Sequence, residues 1–201
     1  MRNFTNALLL GPTCLSIGCS DPTTPLNLLA TVVESQDQIV SESGELQLTR
    51  GTLGIQSISL VGSDGNVELL APITLDLTVR EQDLPQQANI PAGEYSGLHV
   101  ELAPRGASDE TLDVDVQSPT TQEAVRVTSR LTMSSDVGFP EGPRSIAEGS
   151  EVELRVQLRG MFFYLDPITG AVDGHYTIEE ENGGNFLTMD LVNMFDLRVL
   201  P

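Results

Sequence analysis

Oxygen ligands on loops are the functional groups that this sequence offers most densely. The chain carries 29 Asp and Glu residues against 10 Arg and no Lys, for a formal charge of −19 and an isoelectric point near 4.1. Calcium binds through carboxylate and carbonyl oxygens of this kind. We therefore expect calcium as a candidate ligand, bound by oxygen atoms of the acidic loops at 64–66, 166–173 and 179–182. The alternative is that the acidic loops only keep the domain soluble. The candidate ligands are Asp64, Asn66, Asp166 and Asp173.

Catalytic side chains are scarce in comparison. The two histidines, His99 and His175, lie far apart in sequence, and no Gly-x-Ser-x-Gly turn of a serine hydrolase accompanies either. Both cysteines fall within the first nineteen residues, so the remaining chain cannot build a Cys/His zinc site. Asp113 and Asp115 could act as a hydrolytic pair, but their spacing fits the solvated face of a strand. The sequence therefore predicts a protein that is not an enzyme and has no resident cofactor.

The N-terminus has the layout of an export signal. Arg2 precedes an interrupted apolar run over residues 7–17, which is shorter than the roughly 20 residues of a membrane-spanning helix. The run ends at Ser16-Ile17-Gly18-Cys19, which resembles the bacterial lipobox. The resemblance implies a signal peptide over residues 1–18, lipidation of Cys19 and a place in the cell envelope, at the outer membrane. An ordinary secretory signal that is cleaved near the same position is the alternative.

The charge balance excludes one class of partner. A chain with this many carboxylates repels nucleic acid phosphates and anionic lipid headgroups, and no basic stripe is present to neutralise them. We therefore expect contact with a membrane only through the N-terminal lipid. An envelope protein or a polysaccharide stays open as a partner.

Strands with one buried face must position these side chains. Apolar and polar residues alternate with period two in at least seven segments, and clusters of Gly, Pro, Asn and Asp separate them. This pattern predicts an all-β fold, an antiparallel β-sandwich of Ig-like or transthyretin-like type. Helical spacing of Leu187, Leu191 and Met194 adds a short C-terminal helix, with a final strand as the alternative. The segments are 45–49, 55–61, 73–79, 98–102, 112–117, 125–128 and 151–159.

The chain divides into three parts. After the signal peptide, residues 19–44 have the polar, proline-bearing composition of a tether, interrupted by one apolar patch at 26–33. That patch leaves the start of the folded domain open between residues 27 and 45. We assign 19–44 to the tether and 45–201 to the β-sandwich domain.

A turn of the form Pro-x-Gly-x-Tyr opens one predicted strand. The segment Ile90 to Leu102, which contains this turn, resembles a bacterial family catalogued as domain of unknown function 4382, whose members are often exported lipoproteins. The resemblance covers about residues 45–160. It implies a fold and a location in the cell envelope, but no catalytic residues. In the turn, we expect Pro91 to set the backbone, Gly93 to adopt a positive φ and Tyr95 to cover the sandwich edge.

Aromatic side chains concentrate in the last third of the chain. The run Met161 to Leu165 is apolar on both faces of a hypothetical strand, so we expect it to pack in the core. If it does not, Phe162 or Phe163 would mark a binding surface. The predicted function is a lipid-anchored cell-envelope module with a non-catalytic binding or structural role. The alternatives are a calcium-stabilised adhesion or carbohydrate-binding module and a hydrolase that uses carboxylates.

Overall fold

The computed structural model describes residues 29–33, 38–42, 44–70, 72–84, 90–147, 150 and 152–200. Cys19, the predicted signal peptide and residues 20–28 of the predicted tether lie outside this part of the chain. Within it, the strands are β1 (Leu29–Val33), β2 (Gln38–Ser41), β3 (Gly44–Gly62), β4 (Gly65–Leu70), β5 (Ile73–Asp76), β6 (Glu81–Asp83), β7 (Gly93–Leu102), β8 (Leu112–Gln117), β9 (Ala124–Ser129), β10 (Met133–Gly138), β11 (Arg144–Ile146), β12 (Val152–Gln157), β13 (His175–Ile178) and β14 (Phe195–Val199). The helices are α1 (Pro167–Gly170) and α2 (Gly184–Val192), with 3₁₀ turns at Leu158–Gly160 and Glu180–Asn182.

One long strand organises the larger sheet. The order of this sheet is β10-β7-β3-β8-β9-β13, and β2, β4 and β5 also pair with β3. The sequence predicts two strands, 45–49 and 55–61, but β3 is a single strand of 19 residues. The intervening Gly51 and Gly54 lie within β3, at positions where atoms of other segments of the chain come close. A Cβ at Gly54 would stand 2.2 Å from the carbonyl oxygen of Ala103.

The smaller sheet has the order β14-β12-β1-β6. In it β1 runs parallel to β12, and in the larger sheet β13 runs parallel to β9, so the sheets are mixed rather than purely antiparallel. The strands β1 and β2 belong to the stretch that the sequence analysis assigns to the tether. The sheets therefore begin before Glu45, within the range of 27 to 45 that the apolar patch left open.

The two sheets share a hydrophobic core, and the predicted all-β, sandwich-like fold is confirmed. Side chains of β3 and β7 belong to the same buried cluster as those of β12 and β14. Both alternatives for the C-terminal stretch occur, because α2 is followed by β14. In α2, Leu187 and Leu191 are fully buried, as the helical spacing predicts. Representative core residues of the four strands are Leu53, Ile58, Leu98, Val100, Leu154, Val156, Phe195 and Leu197.

Candidate functional site

The segment that follows β12 exposes aromatic side chains. It forms tight turns instead of the expected strand, because Phe163 N donates to Gly160 O at 3.2 Å and Leu165 N donates to Phe162 O at 3.0 Å. Such turns break the period-two alternation. Consequently Met161, Phe162 and Leu165 are buried, whereas Phe163 and Tyr164 are about half exposed. The expectation of core packing is therefore correct for three residues and wrong for two.

The helix α2 adds to this exposed patch. Phe186 and Met189 are also about half exposed, and their spacing of three places them on one face of the helix. The rings of Phe163 and Tyr164 meet edge to face with centroids 4.9 Å apart. Tyr164 and Phe186 lie 5.9 Å apart with a tilt of 36°. We call Phe163, Tyr164 and Phe186 the aromatic ridge.

A cleft of about 450 Å³ borders the aromatic ridge. It lies between the end of β12 and the end of α2, which are joined because Gln157 N donates to Met194 O at 2.8 Å. On the other side, Glu42 N donates to Leu165 O at 3.2 Å and holds the turn segment against the end of β2. We call this cavity the aromatic cleft. Its lining includes Gln157, Arg159, Phe163, Tyr164, Asp190 and Asn193.

Asp190 is the buried polar group of the aromatic cleft. It is 5% exposed, and its Oδ2 accepts a hydrogen bond from Tyr164 N at 3.2 Å. Burial raises the pKa of Asp190 to about 6, against the backbone hydrogen bonds from Tyr164 and Phe163 that lower it. No ion pair joins this carboxylate to a described Arg or His. The cleft therefore holds a buried acid whose charge has no cationic partner within the described chain.

Asp113 shows the opposite arrangement. It is 4% exposed, not solvated as its strand position predicts, because Arg50 and Arg126 cover it. Arg50 Nη2 and Arg126 Nε each lie 2.8 Å from Asp113 Oδ1, and both guanidinium groups also reach Oδ2 at 3.1 Å. The hydrogen bond from Arg50 is the main reason why the pKa of Asp113 is lowered to about 2. Both oxygens are occupied, so this aspartate and its neighbour Asp115, which also binds Arg50, form a structural ion-pair network.

The four predicted calcium ligands lie in three separate parts of the structure. Asp64 lies in the turn between β3 and β4, and Asn66 is the second residue of β4. Asp166 caps α1, because its carboxylate accepts hydrogen bonds from Ile168 N and from Thr169 N. Asp173 adopts a positive φ of 53° in the turn before β13. Among the described residues no group of three or more His, Cys, Asp or Glu has the arrangement of a metal site, and calcium binding stays a prediction.

In the described part of the chain, His99 contacts carboxylates rather than a serine hydroxyl. His99 Nδ1 lies 2.6 Å from Asp136 Oδ1, and its Nε2 lies 3.5 Å from Glu101 Oε1. The hydrogen bond to Asp136 is the main cause of the raised pKa of His99, with desolvation acting against it. Ser57 Oγ donates to Glu101 at 2.8 Å, not to the imidazole. His99 therefore joins carboxylates across β7 and β10, and His175 is an exposed residue at the start of β13.

The Pro-x-Gly-x-Tyr turn differs from expectation at one position. Tyr95 is buried, and its hydroxyl donates to the carbonyl oxygen of Pro91 at 2.8 Å. Gly93 is not among the residues with positive φ, so the prediction of a left-handed glycine is wrong. The reason is that Gly93 opens β7 and pairs with Ile146 of β11, which requires extended backbone. A Cβ at Gly93 would meet the Tyr95 ring at an ordinary 3.7 Å.

Neither Asp190 nor the role of Phe186 is among the features predicted from the sequence. A signal was present, because Asp190 stands three residues after Leu187 and next to Leu191, on the apolar face of the predicted helix. An acid on such a face indicates a buried carboxylate. Of the two residues that the sequence offers as markers of a binding surface, Phe162 is buried and Phe163 belongs to the aromatic ridge.

Comparisons with known proteins assign neither a family nor a function to this chain. No protein-family model matches the chain, and no curated protein matches its sequence. Among solved structures, the chain is similar to MbnP from Methylosinus trichosporium, with 12% sequence identity and a TM-score of 0.42, over 89% of this chain and 99% of that chain. At this level the similarity assigns no function. In the described part of the chain, helices are too short or too polar to cross a membrane.

Proposed function

We propose that this protein is a lipid-anchored, non-catalytic binding module of the bacterial cell envelope and that the aromatic cleft binds its ligand. One observation carries the proposal: a buried acid that has no cationic partner in the described part of the chain lines a cleft that is bordered by exposed aromatic rings. Ligand sites are typically concave and apolar with a few well-placed polar groups. The N-terminal lipobox-like segment supports the anchoring part of the proposal.

The side chains of the cleft favour binding over hydrolysis. Glycoside hydrolysis requires two carboxyl groups that flank the scissile bond. Asp190 is the one carboxyl group among the described residues that line the cleft. Gln157, Asn193 and Arg159 provide further hydrogen-bonding groups, which suit ligand orientation.

The exposed rings provide the binding energy. Covering the exposed half of one ring removes on the order of 100 Å² of apolar surface from water, which stabilises a complex by roughly 2 kcal/mol. Two rings therefore suffice for weak binding of a small organic molecule, and the polar lining adds specificity.

The test maps amide chemical shifts by NMR during titration with three solutes that share one hydrocarbon chain: 1-butanol, butyrate and n-butylammonium. We expect the shifts to concentrate in residues 157–165 and 184–194 for at least one solute. Phe163→Ala combined with Tyr164→Ala should abolish them. Val172→Ala, at a side chain that is 73% exposed outside the cleft lining, should leave them unchanged. If no solute shifts these amides, or if the double variant responds like the wild type, the cleft is not the binding site.

A further inference from the structure

We propose that the ligand of the aromatic cleft is an organic cation, with its ammonium group at the carboxylate of Asp190 and its hydrocarbon part against Phe163 and Tyr164. This inference rests on the proposed function and names the chemical class of its ligand.

The carboxylate of Asp190 has no cation beside it among the described residues. The buried Asp113 is paired with two arginines at 2.8 Å, whereas within the described residues the equally buried Asp190 accepts hydrogen bonds from backbone amides alone. A buried carboxylate that lacks a cation is costly, and a ligand that carries one removes that cost. The position of Asp190 in the lining of an open cleft allows a ligand to do so.

The rings of the cleft support the same assignment. An aromatic ring offers apolar surface to the hydrocarbon part of a ligand, and its face also attracts a cation that lies within about 6 Å of its centroid. Phe163 and Tyr164 are in contact at 4.9 Å and line the same cleft as Asp190. A carboxylate beside exposed rings is the combination that recognises alkylated ammonium groups, because the charge and the hydrocarbon are bound by different walls.

The net charge of the whole protein also favours a cationic ligand. A formal charge of −19 raises the local concentration of cations and lowers that of anions around the molecule. Arg159 is the one cation among the described residues of the cleft lining, and it is exposed. The guanidinium charge of Arg159 would repel a second positive charge on the ligand, so we expect a ligand with a single ammonium group.

A hard metal ion fits this cleft less well than an organic cation. Calcium requires several oxygen ligands, mostly carboxylates and carbonyls. Asp190 is the one carboxylate among the described lining residues, and part of its hydrogen-bonding capacity is already used by Tyr164 N.

The test compares the affinities of the same three solutes at pH 7.5. We expect n-butylammonium to bind at least tenfold more tightly than 1-butanol, and butyrate to bind most weakly. Asp190→Asn should lower the affinity for n-butylammonium to that for 1-butanol, and its amide chemical shifts outside residues 157–165 and 184–194 should match those of the wild type, which shows that the variant is folded. Glu181→Gln, which removes one exposed negative charge outside the cleft lining, should change the affinity for n-butylammonium by less than twofold.

The outcomes separate this inference from the proposed function. If the three solutes bind the cleft equally, or butyrate binds most tightly, the cleft binds ligands but the cation assignment is wrong. If Asp190→Asn keeps the preference for n-butylammonium, the assignment to Asp190 is wrong. If none binds, both proposals fail.

The affinity for n-butylammonium should also fall as the pH drops from 7.5 to 5. Burial raises the pKa of Asp190 to about 6, so protonation removes the carboxylate charge in this range. Arg159 and the Tyr164 hydroxyl are the other charged or titratable groups among the described lining residues. In Asp190→Asn the affinity should not change with pH over the same range, and an unchanged profile in the wild type would overturn the assignment.

Discussion

The two buried aspartates show how the same side chain acquires different properties at different sites. Asp113 is held by two guanidinium groups, which lower its pKa to about 2, whereas desolvation raises the pKa of Asp190 to about 6. The ionised form of Asp113 therefore stabilises the fold, and the ionised form of Asp190 opposes it. A group that reduces stability and lines a cleft is a candidate for function.

Asp190→Asn should raise the stability of the free protein at pH 7.5. The pKa of Asp190 is higher in the folded state than its ordinary value of 3.8, so its contribution to stability is present below pH 4 and is lost as the pH rises through about 6. The gain should reach up to about 3 kcal/mol at pH 7.5 and vanish near pH 4. Urea denaturation of both proteins at these two pH values measures it. Equal stability of the two proteins at pH 7.5 would contradict the shift.

Truncation of Tyr95 should destabilise the domain. Its ring is buried beside Gly62, where a Cβ would come within 3.1 Å of the ring, and its hydroxyl donates to Pro91 O. We expect Tyr95→Ala to cost about 3–5 kcal/mol and Tyr95→Phe about 1 kcal/mol, from cavity formation and loss of the hydrogen bond. Tyr164→Ala is the control, since the exposed ring should contribute less than about 1 kcal/mol. The melting temperatures of the three variants, measured by calorimetry, test this prediction. An unchanged melting temperature for Tyr95→Ala would refute a structural role of Tyr95.

At the scale of elements, close approach between strands determines where glycine is required. Gly97 of β7 and Gly138 of β10 are directly paired, yet their surroundings differ. A Cβ at Gly97 would lie 2.2 Å from the carbonyl oxygen of Val137, whereas a Cβ at Gly138 would meet nothing within 4 Å. The requirement for glycine is therefore local to one strand of the pair.

Gly97→Ala and Gly138→Ala should have different effects. The first introduces a clash with the backbone of the neighbouring strand, and we expect a loss of about 1–3 kcal/mol in the free energy of unfolding. The second adds a methyl group in open space and should be neutral or stabilising by up to about 1 kcal/mol. Urea denaturation measures both variants. Equal effects would show that β10 does not approach β7 at Gly97 as described.

At the scale of the whole molecule, the pairing of β1 with β12 determines which end of β1 lies near the aromatic cleft. The strand β1 runs parallel to β12, so that Leu29 lies opposite Glu153 and Val33 opposite Gln157. Gln157 lines the aromatic cleft, and the chain enters β1 at the other end, about 13 Å away along the strand.

Cys19→Ala should move the protein from the membrane fraction to the soluble envelope fraction. The reason is that acylation of this residue is the expected membrane contact of a chain with a charge of −19. Cys14→Ala removes the other cysteine and should leave membrane partitioning unchanged. Fractionation followed by immunodetection measures both. Equal partitioning of Cys19→Ala and the wild type would refute lipidation at this residue.

Calcium, if the acidic loops bind it, should raise the melting temperature. Binding to the native state alone stabilises by about 2.7 kcal/mol at a hundred times the dissociation constant. Thermal unfolding with excess calcium is compared with unfolding in chelator at matched ionic strength, and magnesium serves as the control cation. Superimposable curves would leave solubility as the role of Asp64, Asn66, Asp166 and Asp173.

The sequence by itself determined the fold class and many of the elements. Period-two alternation marks strands because successive side chains point to opposite faces, and the alternating segments 112–117, 125–128 and 151–159 correspond to the strands β8, β9 and β12. The cluster at 62–66 marked the turn between β3 and β4, and the spacing of Leu187 and Leu191 marked α2. These signals are local, since each follows from the burial of one face of one element.

Only the tertiary structure decided which groups meet. The union of two predicted strands into β3, the extended backbone of Gly93 and the exposure of Phe163 and Tyr164 depend on neighbours that are distant in sequence. The same is true of Asp190 and Asp113, which look alike in sequence. Arg50 and Arg126 neutralise one of them across β3 and β9, and the turn after β12 buries the other without a cation. The charge state of a buried acid depends on the groups that the fold places beside it, and the local pattern does not encode them.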